Sequence, residues 1–140
     1  MRLTAAGYRI ELDPAVQGTH LKAWTLRTML ESDFRDRGVP WVELLLRHGT
    51  GSAALNLGWR HRVSVLASLM AVVSLLRGRR RGLVLSIAAL VAFNASFYGL
   101  LARRRGRREA ATGVGLHVLH HLAGAASVPT GIVKHLRGRA

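Results

Sequence analysis

LVLSIAALVAFNASFYGLLA, residues 83–102, is a run of twenty residues without a charged side chain. Twenty residues of α-helix rise about 30 Å, which is the thickness of the hydrocarbon core of a bilayer. Long cationic side chains at the ends of such a helix can reach the headgroups. Arginines flank the run on both sides. They are Arg77, Arg79, Arg80 and Arg81 before it and Arg103, Arg104, Arg105, Arg107 and Arg108 after it. The stretch therefore predicts a membrane-spanning helix.

Two further uncharged runs flank this one. Residues 63–76 are fourteen apolar or small residues, about 21 Å of helix, so a full crossing needs residues 55–62 as well, or the segment is re-entrant. Because only RGRRRG separates this run from the next, residues 55–102 predict a transmembrane helical hairpin. Residues 103–140 predict an Arg-rich loop and a third membrane or interfacial helix. The expected fold class is a mainly α membrane protein with two or three transmembrane helices.

The positive charge is confined to the apolar part of the chain. Residues 1–43 carry six basic and six acidic side chains, so the whole net charge of +14 lies in residues 44–140. Because the arginines bracket apolar runs, the expected partner is a lipid bilayer with anionic headgroups and not a nucleic acid. If the first run spans the membrane, Arg60 and Arg62 lie on the same side as the five arginines of residues 103–108. That side then has seven arginines, and the hairpin turn on the other side has four. This count predicts that the N-terminal part of the chain is cytoplasmic.

The N-terminal third predicts a strand followed by two amphipathic helices. Within residues 1–19, apolar Tyr8, Ile10 and Leu12 alternate with charged residues, which is the period of a short β piece. Residues 20–54 predict two amphipathic helices, with Gly38 ending the first and Pro40 in the first turn of the second. They are expected to be interfacial helices or to pack on a soluble domain. The apolar stripes of these helices are Leu26, Met29, Leu30 and Phe34, then Trp41, Leu44 and Leu45, and a Glu43–Arg47 pair supports the second helix.

Candidate polar chemistry is sparse. The sequence has no cysteine, P-loop, dinucleotide fingerprint or nucleophile elbow. His117, His120 and His121 fit either a metal site or polar contacts between helices, and the second interpretation is favoured because no carboxylate lies near them in the sequence. Asp33 and Asp36 are expected on a solvated helix face. A stripe of small residues predicts close helix packing and consists of Ala123, Ser127 and Gly131.

The segment around Trp24 resembles a known family. It combines a hydrogen-bonding ring, a cation and an aromatic face in His20, Lys22 and Trp24. Together with the motifs quoted next, it resembles the C-terminal part of the membrane-bound family 2 glycosyltransferases of bacteria. These motifs are GYR at residues 7–9, DP at 13–14, QGTHLKAWTL at 17–26, RGVPW at 37–41, LNL at 55–57 and NASFY at 94–98.

The resemblance implies that residues 1–19 are the last edge of a GT-A-like catalytic domain. It also implies that the chain lies in a bacterial inner (plasma) membrane. His20, Lys22 and Trp24 would contact the acceptor sugar or the nucleotide diphosphate, in place of the family's QxxRW-type motif. Ala23 stands where that motif has arginine, and His20 replaces glutamine. The family's nucleotide-sugar site, DxD motif and catalytic base lie upstream of such a region. A divalent metal and a nucleotide sugar are therefore expected only there, with no cofactor and no independent activity in this chain.

The sequence is compatible with two functions. The first is the membrane-anchoring part of a glycosyltransferase that moves a sugar from a nucleotide donor to a lipid-linked or envelope glycan acceptor. It requires an upstream catalytic domain or chain as partner. The alternative is a small stand-alone membrane protein that acts as an anchor or assembly partner through its helical hairpin.

Overall fold

The computed structural model is mainly helical and describes residues 6–9, 11, 13–19, 23–48 and 58–138. The elements, in chain order, are α1 (Leu26–Glu31), a π-helical segment (Ser32–Gly38), α2 (Val39–His48), α3 (Trp59–Leu76), α4 (Arg80–Phe93), α5 (Ala95–Arg105) and α6 (Arg107–Arg137).

The N-terminal β piece is not confirmed. Within the described part of residues 6–19 there is no strand, and Tyr8 and Val16 are exposed. The turn after Asp13 does form, because the backbone N–H of Val16 donates to the Asp13 carbonyl at 3.1 Å. Ile10 and Leu12, which complete the alternating pattern, lie outside the described residues.

Residues 26–48 form one helical run and not two helices separated at Gly38. Thr25 and Thr28 cap its start reciprocally, each side-chain oxygen accepting the other's backbone N–H at 2.9–3.1 Å. At the predicted break the chain widens into a π-helical turn, in which the N–H of Val39 donates to the Phe34 carbonyl. Pro40 has no N–H, and its ring would crowd the carbonyl of a regular helical turn. The π-helical segment ends at Gly38 and α2 begins at Val39 with Pro40 in its first turn, as predicted, but the chain stays helical and the expected break between two helices does not occur.

Helices α3 and α4 pack side by side as a hairpin, as predicted. Helix α3 begins at Trp59, so the apolar run of residues 63–76 is extended at its N-terminal end. Its packed stripe is made of small residues, and these are Ser64, Ala67, Ser68, Ala71 and Ser74. Its exposed residues are large and apolar, among them Leu66, Leu69, Met70 and Val73. Helix α3 therefore places small and polar residues inside and large apolar residues outside.

The run of residues 83–102 is not one straight helix, contrary to the prediction. It is broken at Asn94, where α4 ends and α5 leaves at an angle of 81°. The Asn94 side-chain amide donates to the Leu90 carbonyl and to the Ser64 hydroxyl oxygen, both at 2.8 Å. The amide thus pairs with a carbonyl group in the last turn of α4 and links α4 to α3. These side-chain hydrogen bonds take the place of backbone hydrogen bonds that a continuing helix would form.

Among the residues that the structure describes, one helix, α3, is long and apolar enough to cross a membrane, or two helical segments if the bent pair of α4 and α5 counts as one span. Helix α6 does not meet the same test, so the third transmembrane helix is not supported by composition.

Helix α6 lies against the π-helical segment, α2, α3 and α5. The predicted small-residue stripe makes this contact: Ser127 and Gly131 are buried. A Cβ atom on Gly131 would lie 2.6 Å from the Val42 Cβ atom. Glu43 closes the same interface, with its carboxylate 2.9 Å from the Lys134 ammonium and 3.6 Å from the Arg47 guanidinium. The predicted Glu43–Arg47 pair is confirmed.

Candidate functional site in a histidine cluster beside an open cavity

Four histidines meet at the end of the hairpin opposite its arginine turn. His61 comes from the first turn of α3, and His117, His120 and His121 come from α6. The His117 and His121 rings stack with centroids 4.4 Å apart, as their spacing of four residues predicts. The His61 ring lies 4.9 Å from the His121 ring and 6.1 Å from the His120 ring. Two helices thus bring four imidazoles into one cluster.

A carboxylate completes this cluster, contrary to the prediction for Asp33. Asp33 is 7% exposed, and its carboxylate accepts a hydrogen bond from His120 Nδ1 at 2.8 Å. The Arg37 guanidinium lies 3.4 Å from the other carboxylate oxygen. Asp33 lies in the π-helical segment, whose extra residue per turn changes which side chains face α6. Asp36, three residues later, is exposed as expected.

His117 is held from the opposite side by α5. Its Nδ1 atom shares a hydrogen bond of 2.7 Å with the Tyr98 hydroxyl group. The Phe97 ring meets the His117 ring edge-on, with centroids 5.8 Å apart. The bend at Asn94 makes these contacts available, because it turns α5 away from the hairpin axis and along α6. The break in the apolar run therefore helps to build the site.

His121 lies at the centre of the cluster and is 1% exposed. Neither of its ring nitrogens has a hydrogen-bond partner among the described residues. Burial, with smaller effects of the neighbouring histidines, lowers the pKa of His121 to about 3. Burial also lowers the pKa of His117, and His120 and His61 lower it further. Both rings are neutral at pH 7, the form in which imidazole nitrogen donates an electron pair.

An open cavity of about 1050 Å³ adjoins the cluster and carries one of the three predicted site residues. Trp24 lines it and is 44% exposed, with the Arg37 guanidinium carbon 5.9 Å from the centre of its ring. Arg105 faces the same cavity, while His117 and His120 join it to the histidine cluster. The cavity thus offers an aromatic surface, two guanidinium groups and imidazole nitrogens to a ligand. His20 and Lys22 lie outside the described residues.

Sequence reasoning missed three members of the cluster, namely His61, Tyr98 and Asp33. A signal existed for the first two, because each is a polar ring within or beside an apolar run. No signal of periodicity could place Asp33, since its burial follows from a π-helical turn. Compared with known proteins, the chain shows no significant match to a protein-family model, a curated protein or a solved structure.

Proposed function

We propose that this chain is the membrane-anchoring C-terminal part of a family 2 glycosyltransferase, with the α3–α4 hairpin inserted in the bilayer. The observation that carries the membrane assignment is the distribution of side chains on α3. Serine and alanine are buried against α4, whereas Leu66, Met70 and Val73 are exposed. Small residues at helix contacts and large apolar residues outside are typical of helices whose solvent is lipid. In water the same outer surface would be a large exposed apolar patch.

The lengths of the helices and the arginines define how the hairpin would sit. The 18 residues of α3 rise about 27 Å and the 14 residues of α4 about 21 Å. With arginines at the turn and at the base, the guanidinium groups reach headgroups on both sides of a bilayer. The base holds Arg60, Arg62 and the arginines of residues 103–108, so we place it on the cytoplasmic side of a bacterial plasma membrane. Helix α6 then lies at the surface.

The transferase part of the proposal rests on the resemblance of the segment around Trp24 and on the position of that residue. Trp24 lines an arginine-containing cavity at the base of the hairpin, where a lipid-linked acceptor can approach from the bilayer. An indole ring stacks on the apolar face of a sugar, and the guanidinium groups of Arg37 and Arg105 bind phosphate oxygens. The nucleotide sugar, its divalent metal and the catalytic base belong to the upstream catalytic domain or chain.

The alternative is a stand-alone membrane protein that anchors or assembles a partner. The exposed row of Leu66, Leu69, Met70 and Val73 favours it, because these residues recur at helical spacing and would fit a partner helix as well as lipid. The two functions differ in whether sugar transfer depends on Trp24.

The test measures transfer of labelled sugars from nucleotide donors to lipid acceptors in membranes from cells that express the chain from its natural gene context. Trp24→Ala is expected to lower transfer about tenfold, because an aromatic contact contributes about 1.5 kcal/mol. Trp41→Ala is the matched control, since Trp41 is 38% exposed and does not line the cavity. Equal transfer by wild type and Trp24→Ala would refute the site. No transfer by wild-type membranes would favour the stand-alone alternative.

A further inference from the structure

We propose that His61, His120 and His121 bind one transition-metal ion, with Zn²⁺ the ion whose chemistry fits best. One nitrogen of each ring lies within 4.8 Å of the other two. Imidazole is a preferred ligand of Zn²⁺ and its neighbours in the first transition row, whereas Mg²⁺ and Ca²⁺ prefer oxygen. This site is independent of the transferase proposal and separate from the divalent metal expected in an upstream catalytic domain.

The spacing of the donors is close to that of a coordination shell. Zn–N bonds of about 2.0–2.1 Å in a tetrahedron place neighbouring nitrogens about 3.3 Å apart. From a triangle with 4.8 Å sides, each nitrogen reaches that position by moving about 1 Å. Movements of this size need only small side-chain rotations, so the backbones of α3 and α6 can stay in place.

The Asp33 carboxylate supplies the outer hydrogen bond that metal-binding histidines usually have. It accepts a hydrogen bond from His120 Nδ1–H, which leaves the lone pair of Nε2 free to bind the metal. His117 is oriented differently, because its Nδ1 atom is engaged by the Tyr98 hydroxyl group and its ring stacks on His121. We therefore assign His117 to packing the site and Asp33 to positioning His120.

The unpartnered nitrogens of His121 are a second observation that points to a ligand. Buried side-chain polar atoms are nearly always hydrogen-bonded, and an exception calls for an unseen group. His121 is fully enclosed and has two such atoms on one ring, one of which faces the donors of His61 and His120. A metal ion at the centre of the three rings would bind this nitrogen of His121.

The fourth coordination position would be open. A cavity of about 390 Å³ is lined by the three ligands together with Asn94 and Arg60. Three protein ligands and an accessible fourth position are typical of zinc sites that keep a water molecule or take an exogenous ligand. Arg60 lines the same cavity, and a positive charge near the metal favours an anionic fourth ligand.

The experiment titrates the purified full chain, in detergent and without a histidine tag, with Co²⁺ as a visible probe. Wild type is expected to bind one Co²⁺ per chain with the intense absorption of a four-coordinate site, and Zn²⁺ should displace it. His61→Asn should lose this spectrum. Asp33→Asn, which keeps the side-chain size, should weaken Zn²⁺ binding about 10–100-fold because it replaces the charged acceptor of the outer hydrogen bond by a neutral one.

His135→Ala is the matched control, since His135 lies on the same helix, is 6% exposed and is not part of the cluster. It should bind Co²⁺ like wild type. Far-UV circular dichroism identifies variants that have not folded, and X-ray absorption of the Zn²⁺ form counts nitrogen ligands without any substitution. Absence of saturable binding by wild type, or unchanged binding by both His61→Asn and Asp33→Asn, would overturn the proposal.

Discussion

Gly131 sets how closely α6 approaches α2. A Cβ atom there would lie 2.6 Å from the Val42 Cβ atom and 3.1 Å from the Val39 carbonyl oxygen, so Gly131→Ala forces the helices apart. We expect this change to destabilise the protein by about 1–3 kcal/mol, as overpacking does. Gly124→Ala on the same helix is the control, because nothing lies within 4 Å of its Cβ position. It should be neutral or stabilising by up to about 1 kcal/mol in thermal unfolding in detergent. Equal unfolding temperatures for the two variants would contradict this packing.

Some residue-level features follow from the sequence and others depend on tertiary structure. The close contact made by Ser127 and Gly131 is predictable, because a spacing of four places small residues on one face of a helix. The stacking of His117 on His121 follows from the same periodicity. The pairing of Asp33 with His120 is not predictable, since the two residues are 87 positions apart. Trp24 lines a cavity in the structure, and its contact with an acceptor sugar or a nucleotide diphosphate stays a prediction.

At the scale of elements, Asn94 determines the path of the chain between α4 and α5. Its amide bonds to Leu90 and Ser64 stabilise the end of α4 and the 81° bend. Asn94→Leu removes both bonds and adds a good helix former, so α4 and α5 should align more closely. Spin labels on cysteines at Val84 and Arg104 would lie about 23 Å apart in the bent form and about 30 Å apart in a straight helix. We expect the distance measured by pulsed electron resonance to lengthen in Asn94→Leu.

Ser64→Ala is the control for this experiment, because it removes only the bond to α3 and leaves the bond between Asn94 and the Leu90 carbonyl. The bend should persist in it. A distance that is the same in Asn94→Leu and in the wild-type sequence would show that packing against α6, and not the amide, holds the bend. The chain has no cysteine of its own, so labels report only the chosen positions.

The two departures from the predicted elements have related causes. A continuous apolar run predicts a long helix because hydropathy does not register a single amide that can replace backbone hydrogen bonds. Gly38 followed by Pro40 predicts a break because local propensity does not register a π-helical turn. The close contact between Gly38 and α6 also requires glycine at this position, since a Cβ atom there would meet the Ser127 side chain. The hairpin itself was predictable, because its two runs are long and their connection is short.

At the scale of the whole molecule, the described core is poor in large apolar side chains. Val39, Leu90 and Tyr98 are its buried large apolar residues, and the buried residues of α3 are all serine or alanine. In water, burial of leucine and its relatives supplies most of the favourable free energy of folding. Large apolar residues exposed on the hairpin therefore support its proposed insertion in a bilayer, whereas a nucleic-acid-binding protein with a net charge of +14 would place its arginines along that exposed face.

The substitution Met70→Lys distinguishes a hairpin surrounded by lipid from one surrounded by water. Met70 is 55% exposed near the middle of α3, so lysine there should be tolerated in water, where exposed substitutions usually change stability by at most about 0.5 kcal/mol. In the hydrocarbon core the same lysine costs about 2.5–3.5 kcal/mol, and we expect the fraction integrated in membranes to fall. Leu76→Lys is the control, because Leu76 is 80% exposed but adjoins Arg77 at headgroup depth. The measurement is the fraction that resists a high-salt wash and is released by detergent. Wild type released by salt alone, or equal integration of Met70→Lys and Leu76→Lys, would contradict insertion of the hairpin.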